Sequence, residues 1–161
     1  PYGIHTIPAA ATNARRIEAG LLLAGTDFDS SVTPFDAGLG ALVDLEKTDF
    51  IGKAALKRAQ RSRRTWGLRC PDGIARHGDT IALEGNTLGR ICSSAWSPYL
   101  ECGVAIVRLD TSSTGPGTTV QVECTDGLTR PAEICELPMY DTAGDIPRGR
   151  RTDIPEIPVS R

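Results

Sequence analysis

The sequence is poor in aromatic residues, methionine and histidine, and it lacks any long apolar run. Phe, Trp and Tyr together make up 5% of the 161 residues, beside one Met and two His. A core built from stacked rings is therefore excluded, and Ala, Val, Ile and Leu must fill the interior. No apolar stretch approaches the roughly 20 residues that span a bilayer. With no visible signal peptide, these features predict a cytoplasmic protein without a membrane partner.

Strong charge and paired cysteines are also missing. The net charge of -2 gives no general attraction to nucleic acid or to an anionic surface. None of the five cysteines has CxxC spacing, which excludes the common zinc patterns and argues against a secreted disulfide framework. We interpret them as buried, reduced thiols. They are Cys70, Cys92, Cys102, Cys124 and Cys135.

Glycine and proline, by contrast, are abundant, with 17 and 11 residues. Together with approximate apolar alternation after Trp66, they predict short β-strands joined by turns, such as the turn at Asp126-Gly127. Six short antiparallel strands at this spacing favour a small closed barrel or a jelly roll. The predicted strands cover residues 65–70, 79–83, 87–95, 101–109, 118–125 and 129–137.

The region before the strands has helical patterns. Apolar residues at helical spacing predict a helix from Pro8 to about residue 24, ended by Gly25. A short strand is predicted at 40–45, and a second helix from about residue 48 to 62. The basic run at the end of that helix, residues 57–64, has no aromatic residue within it, so we interpret it as a solvated helix end and not as a nucleic-acid site.

Several short motifs occur in a characteristic order. Arg-Ile-Glu-Ala-Gly at 16–20 is followed by Thr-Pro-Phe-Asp-Ala-Gly-Leu at 33–39 and Asp-Phe-Ile-Gly-Lys-Ala-Ala-Leu at 49–56. Further segments at 89–100 and 137–141 continue the pattern. Over residues 10–145 the chain resembles the C-terminal portion of the glycine-cleavage T-protein family.

The resemblance implies an α+β protein whose last domain is a β-barrel and whose complete form is a three-domain ring around a folate site. Residues 1–45 would close the folate-binding α+β domain, 46–64 would form a connecting helix, 65–145 the barrel, and 146–161 an extended tail. The chain begins with Pro1 rather than Met. We therefore expect a partner: an N-terminal segment of the same protein or a companion chain.

The function implied is transfer of a methyl or aminomethyl group from a small-molecule donor to tetrahydrofolate. Thr12 stands where the family motif has an Arg that helps to hold the glutamate tail of folate, and Ala24 where it has a Tyr. These two departures argue against a strict aminomethyltransferase. The Arg-Ile-Glu triplet, Trp96-Ser97-Pro98 and the Ile-Pro-Arg-Gly segment at 146–149 resemble the demethylase branch, which includes dimethylsulfoniopropionate demethylase and aromatic O-demethylases. Because the chemistry lies upstream in the family, no catalytic residue is assigned here.

Four residues are candidates for contact with the cofactor: Arg16 and Glu18 in the helix, and Trp96 and Tyr99 around a barrel hairpin. Each also has a structural interpretation. Arg16 and Glu18 would anchor the helix through a salt bridge, whereas the two aromatic residues would pack within the domain. Asp27, in a loop, is interpreted as a cap for backbone N–H groups.

Two alternative functions remain open. In the first, the chain would be the C-terminal folate-binding part of a flavin-dependent dimethylglycine or sarcosine dehydrogenase. A dinucleotide-binding motif upstream of this chain would identify such an enzyme. Alternatively, it would be a non-catalytic folate-binding or assembly module, which the replacements at Thr12 and Ala24 are compatible with.

Overall fold

A computed structural model describes residues 6–110, 114–146 and 148–152. Two helices and a 3-10 turn precede six strands. The helices are α1 (Ala9–Glu18) and α2 (Lys53–Arg58), and the 3-10 turn covers Gly40–Leu42. The strands are β1 (Arg64–Cys70), β2 (Thr80–Leu83), β3 (Asn86–Ser97), β4 (Cys102–Leu109), β5 (Thr119–Glu123) and β6 (Thr129–Cys135).

The six strands form a closed barrel in the order β1-β4-β3-β2-β5-β6, and every neighbouring pair is antiparallel. The predicted barrel and all six predicted strands are confirmed, with small shifts at their ends. Side chains from the strands and from the turn at Ala75 fill an apolar interior. This interior contains Leu68, Cys70, Ala75, Ile81, Ile91, Ala105, Val107, Leu109, Val120, Val122, Cys124, Ala132 and Ile134.

Helix α1 packs against the outside of the barrel, over β3 and β4. We call this contact the α1 seam; its apolar part is Ile17, Cys92, Cys102, Val104, Ile106 and Met139. A strand at the surface of a domain usually leaves one face in water, but β4 has no exposed face. All eight residues of β4 are buried, because one face lines the interior while the other lies under α1.

Helix α1 ends earlier than predicted, at Glu18 instead of about residue 24. The stop is Gly20, which has φ +70°, and not Gly25. The amide of Gly20 donates to the carbonyl of Ile17 at 3.0 Å, and that of Leu21 donates to Arg16 at 2.8 Å. These two bonds form a Schellman motif, which satisfies the last carbonyls of the helix and turns the chain away.

The region between α1 and the barrel contains less regular structure than predicted. The expected strand at 40–45 is instead the 3-10 turn followed by irregular chain. The predicted connecting helix is reduced to the six residues of α2, since Gly52 has φ +90° and blocks an earlier start. The domain boundaries at 45/46, 64/65 and 145/146 stay a prediction, and residues 153–161 of the predicted tail lie outside the described residues.

Large apolar side chains are exposed mainly in the region before the barrel. Six precede residue 60: Ile7, Leu21, Leu23, Leu39, Leu42 and Ile51. In the barrel region the exposed ones are Trp96 and Leu128. No helix within the described ranges has the length and apolar character needed to cross a bilayer.

Candidate functional site

The C-terminal half of α1 presents an arginine to a buried carboxylate. Arg16 forms an ion pair with Asp27, whose side chain is fully buried. Nη2 of Arg16 also donates to the hydroxyl of Ser93 on β3 at 2.7 Å, and that hydroxyl donates to Asp27 Oδ1. These three residues form a closed polar triangle between the helix, the following loop and the barrel.

Asp27 also organises the loop that carries it. Its Oδ2 accepts the amide of Leu23 at 2.8 Å, which confirms its predicted capping role. Its backbone carbonyl accepts a bond of 3.3 Å from Nη1 of Arg108, on β4. Two arginines thus contact Asp27. Arg16 pairs with its carboxylate, whereas Arg108 donates to its backbone carbonyl.

Glu18 is the centre of a second polar cluster, and it is completely buried. Its Oε1 accepts the Ser97 hydroxyl at 2.7 Å, and its Oε2 accepts the Tyr140 hydroxyl at 2.7 Å. Arg15 approaches Oε2 from the solvent side at 3.2 Å. Since a buried carboxylate is stable only when its oxygens have partners, this cluster fixes α1 to the β3–β4 hairpin and to the segment after β6.

The surroundings of Tyr140 raise the pKa of its hydroxyl. Burial, supported by the hydrogen bond to Glu18, raises the pKa of Tyr140 to about 12. Tyr140 therefore stays a neutral donor throughout the physiological range. Its ring packs on that of Tyr99, with a centroid distance of 4.7 Å.

The four predicted contact residues divide into two groups. Arg16 and Glu18 direct their polar atoms at the protein, as the salt-bridge interpretation supposed, although each pairs with a different partner. Tyr99 is half-buried against Tyr140, whereas Trp96 is 44% exposed. The structure brings Glu18 and Tyr99 to the same partner, Tyr140, but it places Trp96 apart from both polar clusters. Contact of any of the four with folate stays a prediction.

Sequence reasoning missed three participants: Ser93, Ser97 and Arg108. They lie 66 to 81 residues from their partners on or after α1. One signal was present, since Ser93 and Ser97 are polar residues in a stretch of β3 that also carries the apolar Ile91, Cys92 and Ala95. Their buried hydroxyls require partners, and those partners are the carboxylates of Asp27 and Glu18.

A cavity of about 560 Å³ opens along the solvent side of α1. One wall is the helix, with Thr12, Arg15 and Ala19, and the other is the chain after β6, with Pro138 and Tyr140. Its volume lies within the range of about 300–1,000 Å³ that is usual for small-molecule sites. The lining also includes Asp141, and since Arg16 is paired with Asp27, Arg15 is the cation that the cavity offers to an anionic end of a ligand.

The surroundings of Cys70 and Cys135 disfavour the thiolate form that a nucleophilic cysteine requires. Burial raises the pKa of Cys70 and of Cys135 to about 11, so little thiolate exists near pH 7. The prediction of buried thiols is confirmed for Cys70, Cys92, Cys102 and Cys124, while Cys135 is partly exposed. In the described part of the chain, no three His, Cys, Asp or Glu residues are grouped as metal ligands.

Comparison with known proteins identifies relatives of both the barrel and the preceding region. Residues 63–141 match the family model described as glycine cleavage T-protein C-terminal barrel domain. An aminomethyltransferase of Synechococcus sp. (strain CC9902) is 36% identical over 143 residues, which cover 86% of this chain and 39% of that protein. A trimethylamine-oxide aldolase of Ruegeria pomeroyi is 35% identical over 154 residues, or 91% of this chain and 20% of that protein.

A solved structure shows the same relationship. The glycine cleavage system aminomethyltransferase T from Bartonella henselae superposes with a TM-score of 0.71 at 30% identity. The match covers 81% of this chain and 38% of that one. The chain thus spans about two fifths of the length of the aminomethyltransferases that it matches.

Proposed function

Because this chain carries the C-terminal barrel domain of the glycine cleavage T-protein family, and so belongs to that family, we propose that it is the C-terminal part of a tetrahydrofolate-dependent one-carbon transferase. The group moved is a methyl or aminomethyl group taken from a small-molecule donor. The main support is that similarity to aminomethyltransferases extends over 86% of the chain, which includes sequence outside the barrel.

Tetrahydrofolate, when bound, supplies the nitrogen that accepts the one-carbon unit. The residues of this chain contribute binding and orientation. The cavity beside α1 fits such a group in size and in character, with an apolar wall and a cation at its edge. Arg16 and Glu18 position α1 against the barrel, while Tyr99 and Trp96 are proposed to contact the bound molecule or its donor.

Arg15 provides a cation near Thr12, the position at which the family motif has an arginine that this chain lacks. Thr12 and Arg15 are three residues apart, share one face of α1 and line the same cavity. The side chain of Arg15 is 60% exposed and reaches Glu18 with a single contact of 3.2 Å, so its remaining N–H groups are available to an anion. We propose that Arg15 replaces the arginine missing at Thr12 in holding the glutamate carboxylates of folate.

The chain is proposed to act with a folate-binding N-terminal portion, either as one longer protein or as a companion chain. Exposed apolar side chains before the barrel support this, since an unpartnered domain seldom leaves so many in one region. The donor is proposed to be that of a demethylase, as the Arg-Ile-Glu triplet and Trp96-Ser97-Pro98 indicate.

A second candidate is a larger fused enzyme, such as a flavin-dependent dimethylglycine or sarcosine dehydrogenase. The trimethylamine-oxide aldolase matches over a similar length that is only 20% of its chain, against 39% for the aminomethyltransferases. That relative is therefore roughly twice as long. A dinucleotide-binding motif upstream in the parent protein would favour this candidate.

The test is purification of the protein from its native source with an antibody raised against this chain, followed by intact mass measurement and calorimetric titration with tetrahydrofolate. We expect a longer polypeptide or a second chain, together with saturable binding. Arg15→Gln should weaken that binding by on the order of tenfold, and Arg76→Gln, at a partly exposed arginine outside this cavity, should not. A single species of this chain's own mass that binds no tetrahydrofolate would refute the proposal.

A further inference from the structure

We infer that the outer face of the barrel near the ends of β2, β3 and β4 binds an oxyanion, a phosphate or carboxylate group of a small molecule. The site is a polar cavity of about 300 Å³, separate from the one beside α1. This inference does not depend on the proposed function. The cavity is lined by Ser31, Val32, Arg63, Thr80, Thr87, Gly89, Arg90, Arg108 and Asp110.

The register of the strands places like charges side by side. Arg108 on β4 is directly opposite Arg90 on β3, and Arg90 is directly opposite Thr80 on β2. Residues paired in this way have Cβ atoms about 5 Å apart on the same face of the sheet, and two like charges there are destabilising. An anion held by both arginines would remove that repulsion.

Arg108 carries the strongest evidence. It is only 5% exposed, and no described carboxylate forms an ion pair with it. Its Nη1 donates to the backbone oxygen of Asp27, but its Nη2 is buried without a partner among the described residues. Burying an unpaired charged group is costly, and few native proteins do so without a compensating ligand or solvent molecule.

The surroundings of Arg108 compensate its charge only in part. The carboxylate of Asp27 is already paired with Arg16, and that of Asp29 interacts electrostatically with Arg108 and Arg90 but forms an ion pair with neither. On the opposite side, Asp110 pairs with Arg63 at 3.2 Å. Of the charged residues that line the cavity, three are arginines and one is an aspartate, which leaves a net charge of +2.

The site is also rigidly built. Gly89 faces the backbone of Arg108 so closely that a Cβ there would overlap the carbonyl oxygen. The amide of Asp110 donates to the carbonyl of Leu88 at 2.7 Å, which continues the ladder beyond β4. The hydroxyls of Thr80 and Thr87 lie on the adjoining strands and would donate to further oxygens of the same anion.

The experiment is calorimetric titration of the whole chain with inorganic phosphate at low ionic strength, and with glutarate in a second series. We expect saturable binding of one anion per chain and a matching rise in melting temperature. Arg90→Gln, at an exposed position, should weaken binding by at least about tenfold without unfolding the chain. Arg108→Met should abolish binding, and its melting curve will show whether it still folds.

Arg76→Gln is the matched control, since Arg76 is also a barrel arginine but pairs with Glu123 at 2.6 Å and lies outside the cavity. It should bind as the unaltered chain does. Tighter binding of phosphate than glutarate would support a phosphorylated ligand, and the reverse order a carboxylate ligand. The inference is overturned if neither anion binds saturably, or if Arg90→Gln and Arg76→Gln lose anion affinity to the same extent.

Discussion

The two faces of the barrel wall are stabilised in different ways. The interior is apolar apart from its thiols, and the side chains that fill it come from all six strands and the turns between them. The α1 seam has an apolar part too, but it also encloses Arg16, Glu18 and Asp27 with their hydroxyl partners. The first face depends on hydrophobic burial, and the second depends equally on pairing each buried charge.

The interior and the α1 seam therefore have different roles: the interior stabilises the barrel, and the seam fixes the placement of α1. Apolar side chains tolerate exchange for others of similar volume, so the interior specifies the barrel only loosely. The Glu18 cluster, in contrast, requires one placement of α1 relative to Ser97 and Tyr140, because a shift of a few ångströms would leave a charge unpaired. We therefore expect the interior to dominate the free energy of unfolding and the α1 seam to set the geometry of the cavity beside α1.

The largest effect is expected from a truncation in the interior. Leu68 is fully buried between its neighbours on β1, β4 and β6. Leu68→Ala should lower the free energy of unfolding by about 2–5 kcal/mol through lost burial and a residual cavity. Urea denaturation followed by circular dichroism measures it. Leu128→Ala, at a leucine that is 58% exposed, is the control and should change stability little; equal losses would contradict the assignment of the interior.

A smaller loss is expected from neutralising the carboxylate of the α1 seam. Glu18→Gln keeps the shape but removes the charge that accepts bonds from Ser97 and Tyr140. The cost should be about 1–3 kcal/mol, as for other hydrogen bonds to charged groups. Binding of tetrahydrofolate to the complete protein should weaken as well, because α1 loses its fixed position. Glu46→Gln, on an exposed loop, serves as the matched variant, and a Glu18→Gln chain as stable as that variant would count against the argument.

The smallest effect concerns alkaline pH. The folded-state pKa of Tyr140, about 12, lies above its ordinary value of 10.0, so the folded chain holds the proton more tightly. The stabilisation linked to this proton is complete below pH 10 and is lost as the pH rises through 12. Absorbance titration of phenolate formation, with Tyr140→Phe to assign the transition, measures the shift. Glu18→Gln should move the transition to lower pH, and a transition already near pH 10 in the unaltered chain would contradict the buried hydrogen bond.

Local features of the fold could be predicted from the sequence, whereas features that depend on distant residues could not. The six strands were predictable because each is bounded by turn residues and alternates locally. The end of α1 was misplaced because Gly20 and Gly25 are both acceptable stops in sequence, and only the Schellman bonds distinguish them. The double burial of β4 was not predictable, since it depends on a helix about 90 residues earlier in the chain.

The site was predicted less completely than the fold. The motif around Arg16 and Glu18 identified the correct helix, yet their partners Ser93, Ser97 and Tyr140 lie 77 to 122 residues away. Asp27 was correctly interpreted as a cap, but its ion pair with Arg16 was not foreseen. Features that involve only near neighbours are easier to predict, such as the Thr33–Asp36 turn, which is closed by reciprocal bonds of 3.1 and 3.2 Å.

Closure of the barrel has a further consequence for how this chain can associate with copies of itself. Each of the six strands has hydrogen-bonded neighbours on both sides, so the barrel offers no open edge on which another chain could add a strand. The exposed leucines and isoleucines before the barrel can still adhere to other surfaces, but only through side chains. Growth of ordered fibrils from the barrel strands would first require the barrel to open.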